Sequence, residues 1–300
     1  MRQTIMIILA AMVLLGSQIA CCTITLPQLP EIEINVPTIE VGDVQDVRES
    51  IPLAGAESTT VEIKFGAGEL DIEAGTSDEL FSGHFRYNVE RWAPEVSYEN
   101  DVLSIEQGGT DEDWGVPTGS VRNEWALEFT PEIPLTIDLD IGAGDGEMDL
   151  TGMQLAQLDI DMGAGDLRIR FDEPNEAQMS RLTLDSGASK LDVVGIGHAG
   201  PEEMRVQGGA GDIMLDLTGA WPRSCEAQIT AGVGSLTLRL PDDVGVRVET
   251  EGGLTKVDAS GLRRTGDAYV NDVFGEAEIE LHVQITAGVG SIRLIEVSND

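Results

Sequence analysis

The sequence has few of the residues that most catalytic and metal sites need. Its 300 residues include three cysteines and three histidines, and aromatic residues make up 4% of the chain. A zinc-type site is not expected, because no cysteines or histidines stand at ligand spacing apart from the adjacent Cys21 and Cys22. Nucleophilic catalysis is not predicted either, since there is no Gly-x-Ser-x-Gly motif and Cys225 has no motif around it. We therefore expect no catalytic residue, metal ion or cofactor, and a buried free thiol at Cys225.

Positive charge is scarce as well. The chain has 18 basic and 54 acidic residues, which gives a formal net charge of −36. This charge repels phosphate backbones and anionic membrane surfaces, so nucleic-acid binding is not expected. A partner should instead be cationic, neutral or bridged by a metal ion. Acidity of this kind is also typical of proteins from salty habitats or biased genomes, and that alternative stays open.

Residues 1–20 have the pattern of a lipoprotein signal peptide. Arg2 precedes an apolar stretch, residues 4–16, that is shorter than the roughly 20 residues of a membrane span. The stretch leads to Cys21, in a context that resembles the bacterial lipobox, where the cysteine thiol is acylated. Cys22 is the alternative acylation site, because it has an apolar residue three places before it. We expect export and lipid anchoring at the extracytoplasmic face of a bacterial membrane, with simple secretion or an uncleaved anchor as alternatives.

A short glycine phrase recurs along the chain, each time followed by alternating apolar residues. From Gly142 to the degenerate copy at Gly253, the first glycines of successive phrases lie 21, 24, 22, 23 and 21 residues apart. This spacing is typical of a solenoid whose coils stack on one another. Glycine suits the corner of each coil, because a sharp bend stacked about 4.8 Å above its neighbour leaves no room for a side chain. The predicted corner glycines are Gly66, Gly68, Gly142, Gly144, Gly163, Gly165, Gly187, Gly209, Gly211, Gly232, Gly234, Gly288 and Gly290.

The predicted fold class is all-β, a single-stranded β-solenoid with coils of about 22 residues preceded by a small N-terminal β module. Almost no helix is expected. The residue that closes each phrase should form an outer column, in which Asp166, Lys190 and Asp212 would make a ladder of ion pairs. Alternation around the phrases directs these residues inward: Leu158, Ile160, Met162, Leu167, Ile169, Phe171, Ile213, Leu215, Leu217, Leu236, Leu238 and Leu240.

The expected domain order is a signal peptide (1–20), an acidic, proline-containing tether (21–48), the N-terminal module (49–122) and the repeat domain (123–300). An edge strand at residues 32–36 is the alternative to part of the tether. Residues 107–123 are expected to be a surface loop, and residues 263–274 a protruding loop. The first of them carries a candidate binding loop for a carbohydrate or protein, although solvated charge is the alternative interpretation. Its residues are Asp111, Glu112, Asp113 and Trp114.

A group of segments has a recognisable combination of residues, which consists of Ser50 and residues 53–56, 66–70, 85–89, 92–98, 123–125, 133–135, 149–155, 163–165 and 287–292. Over about residues 49–300 the chain resembles the toast-rack domain family. The resemblance implies a bacterial, often membrane-associated protein without established catalytic residues. Related β-solenoid domains are described as adhesins or occur in proteins that sense envelope stress.

These observations predict a non-enzymatic, adhesin-like surface module, anchored to the membrane through its N-terminal lipid. Its partner is expected to be an envelope protein or a glycan. One alternative is an accessory sensor of cell-envelope stress. A remote alternative is a polysaccharide-active enzyme that uses paired carboxylates, which β-helical hydrolases place on a sheet face. The oligomeric state is left open.

Overall fold

The computed structural model describes residues 38–109 and 116–298, and nearly all regular structure in these ranges is β-strand. Helical structure in this part of the chain consists of a 3-10 turn at Glu90–Trp92 and a one-turn helix at Ile196–Ala199. No described helix has the length and apolar character that crossing a membrane requires. The strands are β1 Thr38–Ile39, β2 Gln45–Pro52, β3 Thr59–Ala74, β4 Glu79–Tyr87, β5 Pro94–Glu99, β6 Val102–Gln107, β7 Val116–Pro117, β8 Asn123–Phe129, β9 Leu135–Asp149, β10 Leu155–Arg170, β11 Arg181–Val194, β12 Glu203–Asp216, β13 Cys225–Pro241, β14 Gly245–Ser260, β15 Arg263–Thr265, β16 Ala268–Val270 and β17 Glu280–Val297.

Eight long strands of 14–18 residues each contain one glycine phrase: β3, β9, β10, β11, β12, β13, β14 and β17. In β10, Ile160 and Met162 are buried before the phrase and Leu167 and Ile169 after it, so the alternation shifts by one residue at the glycines. Both halves of the strand therefore face one core, and the strand bends at the phrase. We call the half before the glycines the first arm and the half after them the second arm. All the inward-facing residues predicted from alternation are buried.

The long strands lie side by side, parallel and in register. Their spatial order is β3-β9-β10-β11-β12-β13-β17-β14. The register is continuous at the glycine phrases, so the corners stack in columns along the sheet. The middle residues of the phrases form one such column, which consists of Ala67, Ala143, Ala164, Ala188, Ala210, Val233, Val289 and Leu254.

The spatial order departs from the order of the repeats in the sequence. The last strand, β17, lies between β13 and β14. Residues 229–235 and 285–291 have the same sequence, and this insertion places the two identical segments next to each other. The degenerate phrase of β14 is left at the outside of the stack, where no further corner has to fit against it. There Thr255 occupies the position that Gly290 holds in β17.

At the other end of the stack, separate strands continue the two arms of β3. The first arm pairs with β6, and β6 pairs with β5. The second arm pairs with β8, which is followed by β4 and β2. The core here is aromatic, since the ring of Trp125 lies 5.1 Å from those of both Phe65 and Phe85. β3 also pairs with β9 along both arms, across the boundary predicted at residue 122.

Side-chain amides cover the corner of β3 in place of another strand. Gln107 ends β6, and its Oε1 accepts a hydrogen bond from the backbone N–H of Gly66 at 3.0 Å. Asn123 begins β8, and its Nδ2 donates to the carbonyl oxygen of Ala67 at 2.6 Å and to Gln107 Oε1 at 2.8 Å. Trp125 Nε1 donates to Asn123 Oδ1 at 3.1 Å. The amides thus satisfy backbone groups that a neighbouring corner satisfies elsewhere.

The expectation of a protruding loop at residues 263–274 was wrong. β15 and β16 form an antiparallel pair, and β16 extends the sheet over residues 247–249 of β14. Ala268 and Val270 are buried. Asn271 is 1% exposed, donates to the carbonyl oxygen of Val244 at 2.7 Å and accepts from the N–H of Val246 at 3.0 Å. The segment forms strands because its short alternation of apolar residues covers the first arm of β14, the outermost long strand.

Candidate functional surfaces

Two groups of predicted site residues lie outside the described residues. Cys21 and Cys22 precede residue 38, and the acidic loop falls within residues 110–115. Lipid attachment and binding by Asp111, Glu112, Asp113 and Trp114 therefore stay predictions. In the tether range 21–48, the described part includes β1, which pairs with β7, and the first residues of β2, which pair with β4.

The first glycine of each phrase stands where the neighbouring strand approaches closely. A Cβ added to Gly163 would lie within 3.0 Å of the carbonyl oxygen of Gly142, closer than real Cβ contacts. The same overlap with the preceding corner occurs at Gly142, Gly187, Gly209, Gly232 and Gly288. At Gly66 the added atom would meet the Gln107 side chain at 2.7 Å. These glycines are required by strand spacing.

The second glycine of the phrase combines close approach with a backbone conformation that favours glycine. Its φ lies between 127° and 151° in all six phrases that have a glycine there. Residues with a side chain rarely adopt this conformation. The six are Gly68, Gly144, Gly165, Gly211, Gly234 and Gly290. The repeated residues thus form the corners, and the surfaces available for binding lie on the outward positions of the arms.

The first arms carry an acidic face. It consists of six carboxylates in two columns, which are Glu62, Asp138, Asp159 and Asp140, Asp161, Asp185. Like charges directly opposite on neighbouring strands repel each other. Burial, followed by the nearby charges of Asp140 and Asp159, raises the pKa of Asp138. The pKa of Asp161 is raised by burial and then by Asp185 and Asp140.

A groove of about 620 Å³ runs along this face beside the corners. Asp140, Asp161 and Asp185 line it, and it continues past Gln207 to Thr230. Asp185 Oδ1 is buried and has no hydrogen-bond partner. Carboxylates at the strand spacing of about 4.8 Å suit an elongated cationic group that runs along the stack. Reading the residue two places before each phrase would have found this column in the sequence.

A second acidic groove, of about 320 Å³, lies on the outer face of the second arms. Glu69, Asp71 and Glu147 line it together with cations from β10 and β11. Burial, and then the charge of Glu147, raises the pKa of Asp71. On the outer faces of both the first and the second arms, most of these acidic residues lie on β3 and the next two strands of the stack, β9 and β10.

The predicted column of Asp166, Lys190 and Asp212 has the expected register. However, no ion pair joins Lys190 to either aspartate within residues 38–109 and 116–298. Arginines make the ion pairs between neighbouring second arms instead. Arg168 contacts Asp192 at 3.6 Å, Arg239 contacts Asp216 at 2.9 Å, and Arg170 contacts Asp149. The longer guanidinium side chains reach a neighbouring carboxylate where Lys190 does not.

A family described as the N-terminal domain of toast_rack, DUF2154, matches residues 40–194 and, in a second match, residues 181–239. The matches cover residues 40–239, which are 200 of the 300 residues. The chain belongs to the toast-rack family. This membership confirms the resemblance seen in the sequence, and the second match falls within the repeats. No curated protein matches this toast-rack sequence.

Solved structures resemble the toast-rack chain over most of its length. One is a candidate cell adhesion protein from Clostridium sporogenes, with 27% identity, a TM-score of 0.47 and coverage of 85% of this chain and 100% of that one. A candidate adhesin from Bacteroides fragilis has 10% identity, a TM-score of 0.39 and coverage of 86% and 100%. A candidate lipid-binding protein from Parabacteroides distasonis has 12% identity, a TM-score of 0.43 and coverage of 86% and 99%.

The toast-rack chain also exposes an apolar ridge at its corner. Val233, Val289 and Leu254 lie side by side in register, with exposed fractions of 58%, 52% and 81%. Alanine holds this position in β3, β9, β10, β11 and β12. The ridge is therefore confined to the three strands at one end of the stack.

Cys225 and the three histidines make their contacts within the fold. Cys225 is a free thiol with 2% exposure, and burial raises its pKa to about 12. The thiol is therefore protonated and unreactive at neutral pH. His84 contacts Asp46 at 2.9 Å, His282 contacts Glu280 at 3.2 Å, and His198 Nδ1 accepts from the N–H of Ala220 at 3.3 Å. No group of metal-ligating side chains suited to hold an ion occurs among the described residues.

Proposed function

We propose that this toast-rack protein is an exported, lipid-anchored β-solenoid that binds an envelope partner at its surface and catalyses no reaction. The observation that carries the proposal is the in-register row of carboxylates along the groove of the acidic face. Asp140, Asp161 and Asp185 are held at a fixed spacing by three neighbouring parallel strands. A rigid row of like charges is suited to recognise an extended partner of opposite charge.

The partner we infer is a cationic segment of an envelope protein or a glycan with positively charged groups. The row is open along its length, which suits a chain-like partner. General acid–base catalysis instead needs a pair of carboxyl groups with different environments around one reacting bond. Burial first, and then repulsion by neighbouring carboxylates, raises the pKa of Asp161 in the row and of Asp138 in the adjacent column, and bound positive charge would relieve the repulsion.

A comparison of two variants with the same net charge tests the surface. Asp140→Asn, Asp161→Asn and Asp185→Asn together remove the row, whereas Glu57→Gln, Glu176→Gln and Glu226→Gln remove three exposed acids elsewhere. With a fluorescent octalysine peptide as the probe, we expect the first variant to bind at least about fivefold more weakly and the second to bind within about twofold of the natural chain. Equal losses in both variants would show that net charge alone attracts the probe.

Crosslinking on intact envelopes tests the role of the surface in place. We expect the natural chain and the control variant to capture the same protein or glycan, and the groove variant to lose it. Capture of a membrane kinase or its accessory protein would favour envelope sensing. Polysaccharide cleavage that a single Asp→Asn change abolishes would contradict a non-enzymatic role.

Metabolic labelling with palmitate tests the anchor separately. We expect label on the natural chain and none after Cys21→Ala with Cys22→Ala. Each single cysteine variant then identifies which thiol is acylated. Continued membrane association of the double variant would contradict lipid anchoring.

A further inference from the structure

We infer that copies of this chain associate head to tail, with the second arm of β14 in one copy pairing in parallel with β2 of the next. The occupant of the open strand edge is thus a second copy of the same protein. This inference does not depend on the envelope partner proposed above.

The second arm of β14 has an open edge. β17 pairs with it on one side, and on the other side β16 covers only residues 247–249. Within the described chain, no strand lies on the free edge of residues 254–260. Val257 and Ala259 point inward but are only half-buried, whereas their neighbours on β17 are 2% and 0% exposed. The core is therefore uncovered at this end of the second arms.

β2 is the matching open edge at the other end of the same layer. It pairs with β4 on one side, and on its other side lies no strand formed by residues 38–109 or 116–298. Val47 and Ile51 point inward from it and are also only half-buried. β2 and β4 are antiparallel, β4 and β8 are antiparallel, and β8 runs parallel to the stack. β2 therefore runs in the same direction as β14, so a copy shifted along the stack presents a parallel edge.

The register through the whole sheet aligns opposite charges at these two edges. Asp46 stands in the column of Lys256, and Arg48 stands in the column of Asp258. Val47 shares the inward column of Val257. The column that joins Asp46 to Lys256, followed from strand to strand across the sheet, is Asp46, Arg86, Glu124, Glu69, Asp145, Asp166, Lys190, Asp212, Ser235, Ser291 and Lys256.

Stacking a second copy without any slip thus places Lys256 opposite Asp46, Val257 opposite Val47 and Asp258 opposite Arg48. Opposite charges and apolar residues that face each other across a strand pair are the favourable combinations. A joint of this kind uses two different edges of the molecule, so each added copy leaves a free edge at either end of the assembly. Further copies can then add to form a linear chain.

The joint also contains features that oppose it. Glu49 lies in the inward column of Ala259, and an inward charge is a device that keeps edge strands apart. In the joint, four strands lie between the first arm of β14 and the first arm of the next copy's β3, namely β16 and β15 of one copy and β5 and β6 of the next. Three strands, β2, β4 and β8 of the next copy, lie between the corresponding second arms. β15, which is exposed along its three residues, must move aside. We therefore expect reversible association, which Glu49→Gln strengthens.

Disulfide crosslinking of the full chain tests the pairing directly. With Asp46→Cys and Lys256→Cys in one chain, mild oxidation should give a ladder of multimers on a non-reducing gel. A mixture of the two single variants should give dimers that contain one copy of each. The control pairs Asp46→Cys with Lys190→Cys, which lies in the same column in the middle of the stack. It should give only the background of the unsubstituted chain, which retains its own cysteines.

Charge reversal tests the same contact without oxidation. In sedimentation measurements on the full chain in detergent, Lys256→Asp should weaken association by about tenfold, and Lys256→Asp with Asp46→Lys should restore it. Lys190→Asp, the control, should leave association unchanged. Crosslinks no stronger than the background, self-crosslinks of Lys256→Cys alone, or equal effects of Lys256→Asp and Lys190→Asp would each overturn the inference.

Discussion

The two ends of the strand stack show how one repeat can be finished in different ways. At the β3 end, separate strands continue both arms, aromatic rings fill the core and the amides of Gln107 and Asn123 cover the corner. At the β14 end, a short hairpin covers part of the first arm and the corner carries Leu254, which is 81% exposed. The two edges of the parallel stack are β3 and β14, and among the described residues strands cover both arms of β3 but, on β14, residues 247–249 alone.

We therefore expect the β3 end to contribute mainly to the stability of the fold and the β14 end mainly to association with other molecules. The β3 end contains large buried side chains and satisfied backbone groups, so changes there should cost folding free energy. The β14 end exposes an apolar ridge and an unpaired strand edge, so changes there should alter association more than folding.

The largest effect is expected for Trp125→Ala. Trp125 is 1% exposed and contacts two aromatic rings, so its truncation should lower the free energy of unfolding by about 3–5 kcal/mol. Leu254→Ala, at the other end, should change it by no more than about 0.5 kcal/mol. Urea denaturation of both variants measures the difference, and similar losses would contradict the contrast between the ends.

A smaller but clear effect is expected for Gly165→Ala in the middle of the stack. Its φ is 127° and its added Cβ would overlap the Gly144 carbonyl oxygen, so a loss of at least about 1–3 kcal/mol should follow. At Gly253, in the last corner, the nearest atom to an added Cβ is 3.4 Å away. Gly253→Ala should therefore stay within about 0.5 kcal/mol of the natural chain in the same denaturation experiment. A large loss at Gly253 would show that the last corner is covered.

Mild acidification should stabilise the acidic half of the stack. The pKa values of Asp71, Asp138 and Asp161 are raised in the folded chain, so the folded state binds protons more readily than the unfolded state. Stability should therefore rise as the pH falls from 7 toward these raised pKa values, above the ordinary value of 3.8.

At lower pH the gain should reverse, because the pKa values of Glu106 and Asp149 are lowered in the folded state and their contribution is lost on protonation. Melting temperatures measured from pH 7 down to about pH 2 check both directions, because the loss at these two groups begins near their ordinary pKa values of 4.5 and 3.8 and continues below them. Asp138→Asn with Asp161→Asn should flatten the rise between neutral and mildly acidic pH. An unchanged rise in this variant would assign the effect to other groups.

The smallest effect is expected at Lys190. It stands between Asp166 and Asp212 without a close ion pair, so the long-range attraction should contribute only a few tenths of a kcal/mol. Lys190→Glu should lower the melting temperature more than Lys190→Gln, since the glutamate would place a negative charge directly between Asp166 and Asp212. Lys256→Glu at the open end should have less effect on melting, because β17 is its only described neighbour in the sheet.

Much of the fold could be predicted from local patterns. Leu158, Ile160 and Met162 before one phrase, and Leu167 and Ile169 after it, were assigned to the core from alternation alone, and all are buried. The acidic face was missed, although its residues are visible in the sequence. Whether Asp140, Asp161 and Asp185 face each other depends on the register between strands, and connections of different length separate them. The ion pairs were misassigned because register alone does not show which side chains reach their neighbours.

The sequence by itself determined the β-strands, the bends and the inward residues, since each depends on a period of two or on glycine within a few positions of the chain. Only the tertiary structure decided that β17 enters between β13 and β14, that residues 263–270 cover the first arm of β14, and that no described strand lies on the outer edges of β2 and of the second arm of β14. The physical reason is that every strand of an in-register parallel stack offers a similar edge to the next. Long-range contacts, such as those between the identical corners of β13 and β17, decide which strands become neighbours. A local sequence pattern carries no information about such contacts.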